Sequence, residues 1–188
     1  NPLIAVPAAA ILGGVICTVL LLPCLPLRGV YFAIVTLMYP LFLARVIEAL
    51  NILGGTDGIM GIDGVPYAWL EQYGIIVLLL LILFALRRLV NTDLGLVMRA
   101  VKDNDQAVKA SGMNITHYKA LAVFIASSVG CLAGACLVHT YMWAGISTFA
   151  LDFSILPIAA TVIGGGGTLV GPVLGCLILV PISELLRD

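Results

Sequence analysis

The chain has 188 residues, of which 62% are hydrophobic and only 10% charged, with a formal net charge of −1. A soluble domain is about 45–50% apolar, so long uncharged blocks at a mean hydropathy of +1.17 exclude an ordinary water-soluble globule and make a bilayer the solvent. No nucleic-acid partner is expected from so few cations. Cys17, Cys24, Cys131, Cys136 and Cys176 all lie in apolar runs and form no CxxC pair. They read as small packing residues rather than metal ligands or disulfides. Apolar sequence starts directly at Asn1 without a charged stretch before it, unlike a signal peptide, and the chain is expected to be a piece of a longer protein.

A helix crossing the hydrocarbon core needs about 20 mostly apolar residues. The first candidate runs from Leu3 to Leu27, with Pro7 near its start and Pro23 and Pro26 near its end. The second runs from Gly29 to Leu50 and contains Pro40, a possible kink. The third, residues 68–88, is centred on "IIVLLLLILFAL" and flanked by Trp69, Tyr73, Arg87 and Arg88, which suit the interface. The fourth, Ala120 to Trp143, holds no Asp, Glu, Lys or Arg. The fifth, 154–186, is broken near 164–167: Ser154 to Gly164 is about half a span, and Leu169 to Leu186 could be a whole one. One broken helix and a re-entrant hairpin both fit this pattern. The fold class is therefore all-α, a polytopic transmembrane helical bundle forming a single transmembrane domain over 1–188.

Charge sets the orientation. Arg87, Arg88, Arg99, Lys102, Lys109 and Lys119 place six of the nine Lys and Arg between 87 and 119, whereas 51–73 holds none. The first segment is expected in the cytoplasm and the second outside. Residues 91–119 also carry the signs of a folded element. Thr92 or Asp93 can cap a helix over "LGLVMRAVK", and Asn104 or Asp105 a second over "QAVKAS" that Gly112 closes. Asn114 can cap a third that runs into the fourth span. A solvated loop that only fixes topology and a docking element both fit this pattern.

The glycine-rich stretches exclude nucleotide chemistry. "GGGGTLVG" (Gly164 to Gly171) has no Lys of a phosphate loop, and Thr168, Leu169 and Val170 break the dinucleotide fingerprint. Gly167, Gly171 and Gly175 are spaced four apart, as are Gly130 and Gly134, which suits close helix packing. Gly164, Gly165, Gly166 and Gly167 can also break a helix beside a translocation path. "GGTDGIMGIDG" reads as tight outer turns at Gly54, Gly55, Gly58, Gly61 and Gly64. Arg45 and Glu48 are spaced to pair, and His139 lies near the outer end of the fourth span. No acid falls at mid-membrane, which argues against ion coupling within this chain. No HExxH, Gly-x-Ser-x-Gly or convergent acid pair points to an enzyme.

The stretch "MRAVKDNDQAVKASGMNITHYKALAVF" resembles the cytoplasmic coupling loop in permease subunits of branched-chain amino-acid type ABC importers, and "LRGVYFAIVTL", "GGTDGIMGI" and "VIGGGGTLVGPVLG" extend the resemblance to every region after the first span. It implies a loop that docks on a separate cytoplasmic ATP-binding subunit, with contacts centred on Asp105, Ala107, Lys109, Ala110, Ser111 and Gly112. It also implies a second permease subunit, identical or not, and an extracytoplasmic substrate-binding protein delivering small amino acids or amides near Gly54, Gly55, Asp57 and Gly58. No cofactor is expected in this chain, the ATP being held by the partner. Two departures stand out. The Glu-Ala-Ala start of the general importer loop reads Asp105-Gln106-Ala107 here, and Pro40-Leu41 replaces a Gly-Glu pair. A passive channel or scaffold subunit without ATP coupling is the alternative.

Overall fold

The computed structural model describes residues 2–27, 29–52, 54–55, 57–62, 64 and 68–185. Among the described residues the fold is carried by α1 (Pro2–Leu21), α2 (Val30–Leu50), α3 (Ala68–Val90), α4 (Asp93–Asp103), α5 (Asp105–Ala110), α6 (Ile115–Tyr141), α7 (Leu151–Gly164) and α8 (Gly171–Leu185). Two short strands, β1 (Ile59–Met60) and β2 (Trp143–Ala144), pair antiparallel, Ile59 opposite Ala144 and Met60 opposite Trp143. Among the described residues, five segments are long and apolar enough to cross a membrane: Ile4–Cys24, Val30–Leu50, Glu71–Val90, Ile115–Tyr141 and Ile146–Gly164. Their side chains face outward to an extent that water would penalise. Val162 is 75% exposed and Phe84 67%, while the buried apolar residues among those described are Ala10, Leu25, Ala44, Val108 and Ala160. Such a surface is stable only against hydrocarbon, and the chain is a multi-pass membrane protein.

Two compact units share the chain, residues 1–36 with 58–144 and residues 37–57 with 145–188. The first is built on α1 against α6. The pair lies close because α1 offers no side chain at Gly13 and Gly14: a Cβ at Gly13 would stand 2.5 Å from Cys131 Sγ, and one at Gly14 would overlap the Ser128 hydroxyl. α6 is continuous for 27 residues, about 40 Å at 1.5 Å per residue. It stops at Met142, whose left-handed φ of 52° turns the chain into β2. Trp143 therefore belongs to the ladder and not to the helix. At that same end Thr140 donates its hydroxyl hydrogen to the Glu71 carboxylate at the start of α3. α1 is shorter than the apolar run predicts. It ends at Leu21 and tightens into a 3₁₀ turn over Leu22–Cys24, where Pro23 removes a donor.

The second unit holds the later part of α2 and a helical hairpin of α7 and α8. α2 runs unbroken through Pro40. The glycine run is the hairpin turn. Gly165 adopts φ +94°, and Thr168 Oγ1 accepts the Gly171 amide at 3.1 Å. Gly164 lies against Gly171, while Gly175 lies against Ala160, which is fully buried, so the two helices run antiparallel. Of the two arrangements the sequence leaves open, the backbone adopts the hairpin. At 14 and 15 residues, α7 and α8 are each about 21–22 Å long, short of the roughly 30 Å core. The 3₁₀ turn Ile146–Phe149 ahead of α7 lengthens that arm.

Candidate coupling site

The polar segment between α3 and α6 folds as a chain of short helices. α4 and α5 are separated by Asn104 alone, in extended backbone. Asn104 Oδ1 accepts the amides of Gln106 and Ala107, each at 3.1 Å, and so caps α5. At the other end Ser111 N donates to Ala107 O at 3.1 Å and Gly112 N to Lys109 O at 3.1 Å, with Gly112 at φ +83°. That conformation is open only to residues that tolerate the left-handed region, and glycine does so without penalty. The helix extends from 105 to 110, one residue earlier than the cap pattern predicts.

The caps on either side differ from expectation. Thr92 precedes α4 but its hydroxyl donates to Leu89 O at 2.6 Å instead of capping α4. The reason is proximity: α3 ends at Val90, and its unsatisfied last carbonyls compete for the hydroxyl. Asn114 precedes α6 without a side-chain cap bond, and its carbonyl accepts the His117 amide at 3.2 Å.

α5 is anchored through one side and bare on the other. Val108 is buried at 7% exposure. Asp105 Oδ2 lies 3.8 Å from Lys119 Nζ, both half-buried, which ties the start of α5 to the first turns of α6. Ala107, Lys109, Ala110, Ser111 and Gly112 are exposed. Of the six positions marked from sequence, five therefore form one outward surface, and Asp105 belongs to the anchor instead. A groove of about 640 Å³ opens beside α5, between Leu25 and Phe32 on one wall and Met98, Asn104 and Tyr118 on the other.

The glycines separate by geometry. Gly164, Gly171 and Gly175 pack backbone on backbone, Gly165 makes the turn, and a Cβ at Gly167 would meet open space. At Gly166 the added atom would meet only Thr161 O, at 3.9 Å. Gly130 and Gly134 also face open space within this chain, so the α6 pair does not pack α1, which is held by Gly13 and Gly14. Gly54 (φ +87°) and Gly55 (φ +53°) make successive turns, Asp57 N donating to Gly54 O at 3.1 Å, and Gly58 (φ +72°) leads into β1. Arg45 and Glu48 pair at 2.8 Å, as their spacing predicts. His139 is half-buried near the end of α6. Asp63, also in the outer glycine loop, lies outside the described residues. Among described residues no group of His, Cys, Asp or Glu is disposed to hold a metal. Gly13 and Gly14 meet side chains of α6, far along the chain, and Gly95 meets the backbone of Val90 across a bend, so none of the three follows from spacing within one helix. The adjacency of Gly13 and Gly14 was the only local sign.

The family model described as "Branched-chain amino acid transport system / permease component" matches residues 1–188. The probable branched-chain amino acid transport permease protein LivM of Methanocaldococcus jannaschii is 29% identical over 192 residues, covering 98% of this chain and 56% of that protein. The high-affinity branched-chain amino acid transport system permease protein LivM of Escherichia coli is 25% identical over 213 residues, covering 97% and 50%. The xylose/arabinose import permease protein XylH of Sulfolobus acidocaldarius is 31% identical over 141 residues, covering 72% and 36%. The chain spans about half the length of the branched-chain relatives it matches. No solved structure matches it.

Proposed function

Because the chain belongs to the permease-component family of branched-chain amino acid transport systems, we propose that it is the membrane-spanning subunit of an ATP-binding-cassette importer for branched-chain or similar small amino acids. It sits in the plasma membrane with α4 and α5 in the cytoplasm. A separate subunit hydrolyses the ATP, a second permease subunit completes the path, and an extracytoplasmic binding protein supplies the substrate. The observation that carries this reading is α5. It is a helix of six residues capped at both ends and anchored inward by Val108, with a small-sided outer surface. Such a helix can seat in a groove of a partner. Motion imposed there enters α6 through the Asp105–Lys119 contact, and α6 carries it without a break from Ile115 to Tyr141.

The test uses the assembled transporter in liposomes. Ala107→Trp enlarges the outer surface of α5 and Gly112→Val strains its left-handed exit; both are expected to weaken association with the ATPase subunit and to abolish uptake. Normal association and uptake in both variants would overturn the coupling assignment.

A further inference from the structure

Energy entering at α5 has a second way into the membrane, through α4. α4 follows α3 after only Asn91 and Thr92. At this elbow Gly95 is buried against the end of α3: an added Cβ would stand 2.5 Å from Val90 C and 2.6 Å from Val90 Cα, and closer still to Val90 O. These are backbone atoms, so no side-chain rotation can make room. The Thr92 hydroxyl bonds Leu89 O at 2.6 Å and its amide bonds the same carbonyl at 3.1 Å, closing the corner from the other side. The angle between α3 and α4 is therefore fixed at the level of the main chain.

The far end of α4 is equally short-coupled to α5. Asn104 N donates to Ala100 O at 2.9 Å in α4, while Val108 N donates to Asn104 O at 3.3 Å in α5. α3 itself is loosely held. None of its residues from Glu71 to Val90 is buried within the chain. Its opposite end is tied to α6 by the Glu71–Thr140 bond. A rod with little lateral packing, fixed at one end and joined rigidly to a lever at the other, tilts when the lever moves.

We propose that Gly95 is a positioning residue that makes α3–α4 a rigid elbow, through which displacement of α5 tilts α3. The proposal rests on the coupling role of α5. Gly95→Ala forces the elbow open while leaving the outer surface of α5 intact. In the assembled transporter, its affinity for the ATPase subunit is expected to stay within about twofold of the parent, while uptake per ATP hydrolysed falls by about tenfold, the scale of a lost coupling between sites. Leu96→Ala, at the neighbouring exposed position, is expected to keep the parent ratio. A parallel fall in affinity and uptake, or an unchanged uptake per ATP in Gly95→Ala, would overturn the elbow. If Gly95→Ala does not fold, Thr92→Val removes the hydroxyl clamp without adding bulk, and an unchanged ratio in that variant overturns the elbow equally. Ala107→Trp separates the two readings. If it leaves the ATPase complex intact, the coupling role of α5 fails and takes the elbow with it. If it breaks the complex while Gly95→Ala keeps its ratio, only the elbow fails.

Discussion

Gly175→Ala tests the hairpin at its closest point. A Cβ at that position would lie 2.7 Å from Ala160 C and 3.2 Å from Ala160 Cα. Carbon atoms at rest stay about 3.5–4.0 Å apart, so α7 and α8 must separate by roughly 1 Å there. Ala160 is fully buried and its backbone cannot turn aside, so the strain spreads along the pair. Contacts this short with backbone atoms put the cost in the upper part of the usual overpacking range, about 2–3 kcal/mol. The better helix propensity of alanine offsets about 1 kcal/mol, which leaves a net loss of about 1–2 kcal/mol. For a chain of this size each 1 kcal/mol moves the midpoint by about 2–4 °C, so a fall of about 2–8 °C is expected. Thermal unfolding in detergent, followed by monodispersity on gel filtration, measures it. Gly167→Ala is the matched control, because its added methyl meets open space. A midpoint for Gly175→Ala indistinguishable from the parent, or an equal loss in Gly167→Ala, would refute the antiparallel packing.

Asn104→Ala removes the acceptor for the Gln106 and Ala107 amides and should cost α5 about 1 kcal/mol. Hydrogen exchange over 105–110 should then quicken by about fivefold, with Asn104→Asp retaining protection. Gly130→Ala and Gly134→Ala should leave the isolated chain as stable as before or up to about 1 kcal/mol more so, since both sit in an α-helix beside open space. If that face seats the second permease subunit, Gly130→Leu should dissociate the pair, read from the mass of the purified complex. Arg45→Gln should shift the melting point little, because the Arg45 side chain is 82% exposed and a pair of that kind is worth about 0–1 kcal/mol.

The apolar blocks made the bundle legible before any coordinates, because lipid imposes a length rule on every span. α5 was legible because its ends are marked locally. Asn104 and Gly112 are local signals, acting within three residues of themselves, and their spacing survives in the structure as two real caps. Thr92 shows the limit of that logic: it has the chemistry of a cap, but a carbonyl of the preceding helix captured its hydroxyl. Glycine spacing was a poorer guide still. Gly130 with Gly134 and Gly171 with Gly175 share a four-residue interval, yet only the second pair meets a backbone. What decides the matter is which helix lies opposite, and spacing within one helix does not contain that. Gly95 carried no pattern because its partner, Val90, is recruited by a bend and not by a helical repeat.

α5 also constrains how the proposed assembly would hold together. An isolated helix of six residues is far below the roughly 12–15 needed for stability in water, so its shape is borrowed from Asn104, Gly112, Val108 and the Asp105–Lys119 contact. What it shows to a partner is Ala107, Lys109, Ala110, Ser111 and Gly112, a surface with little apolar area to bury. At about 25 cal/mol per Å² such a surface gives modest affinity. In the proposed assembly a single α5 would thus be gripped and moved rather than bind tightly by itself. Two such helices, one from each permease subunit, would engage a paired ATPase with the second contact made at high effective concentration. On that reading the permease pair and the ATPase pair stabilise one another. Weak individual docking then lets the contact release and re-form within a transport cycle.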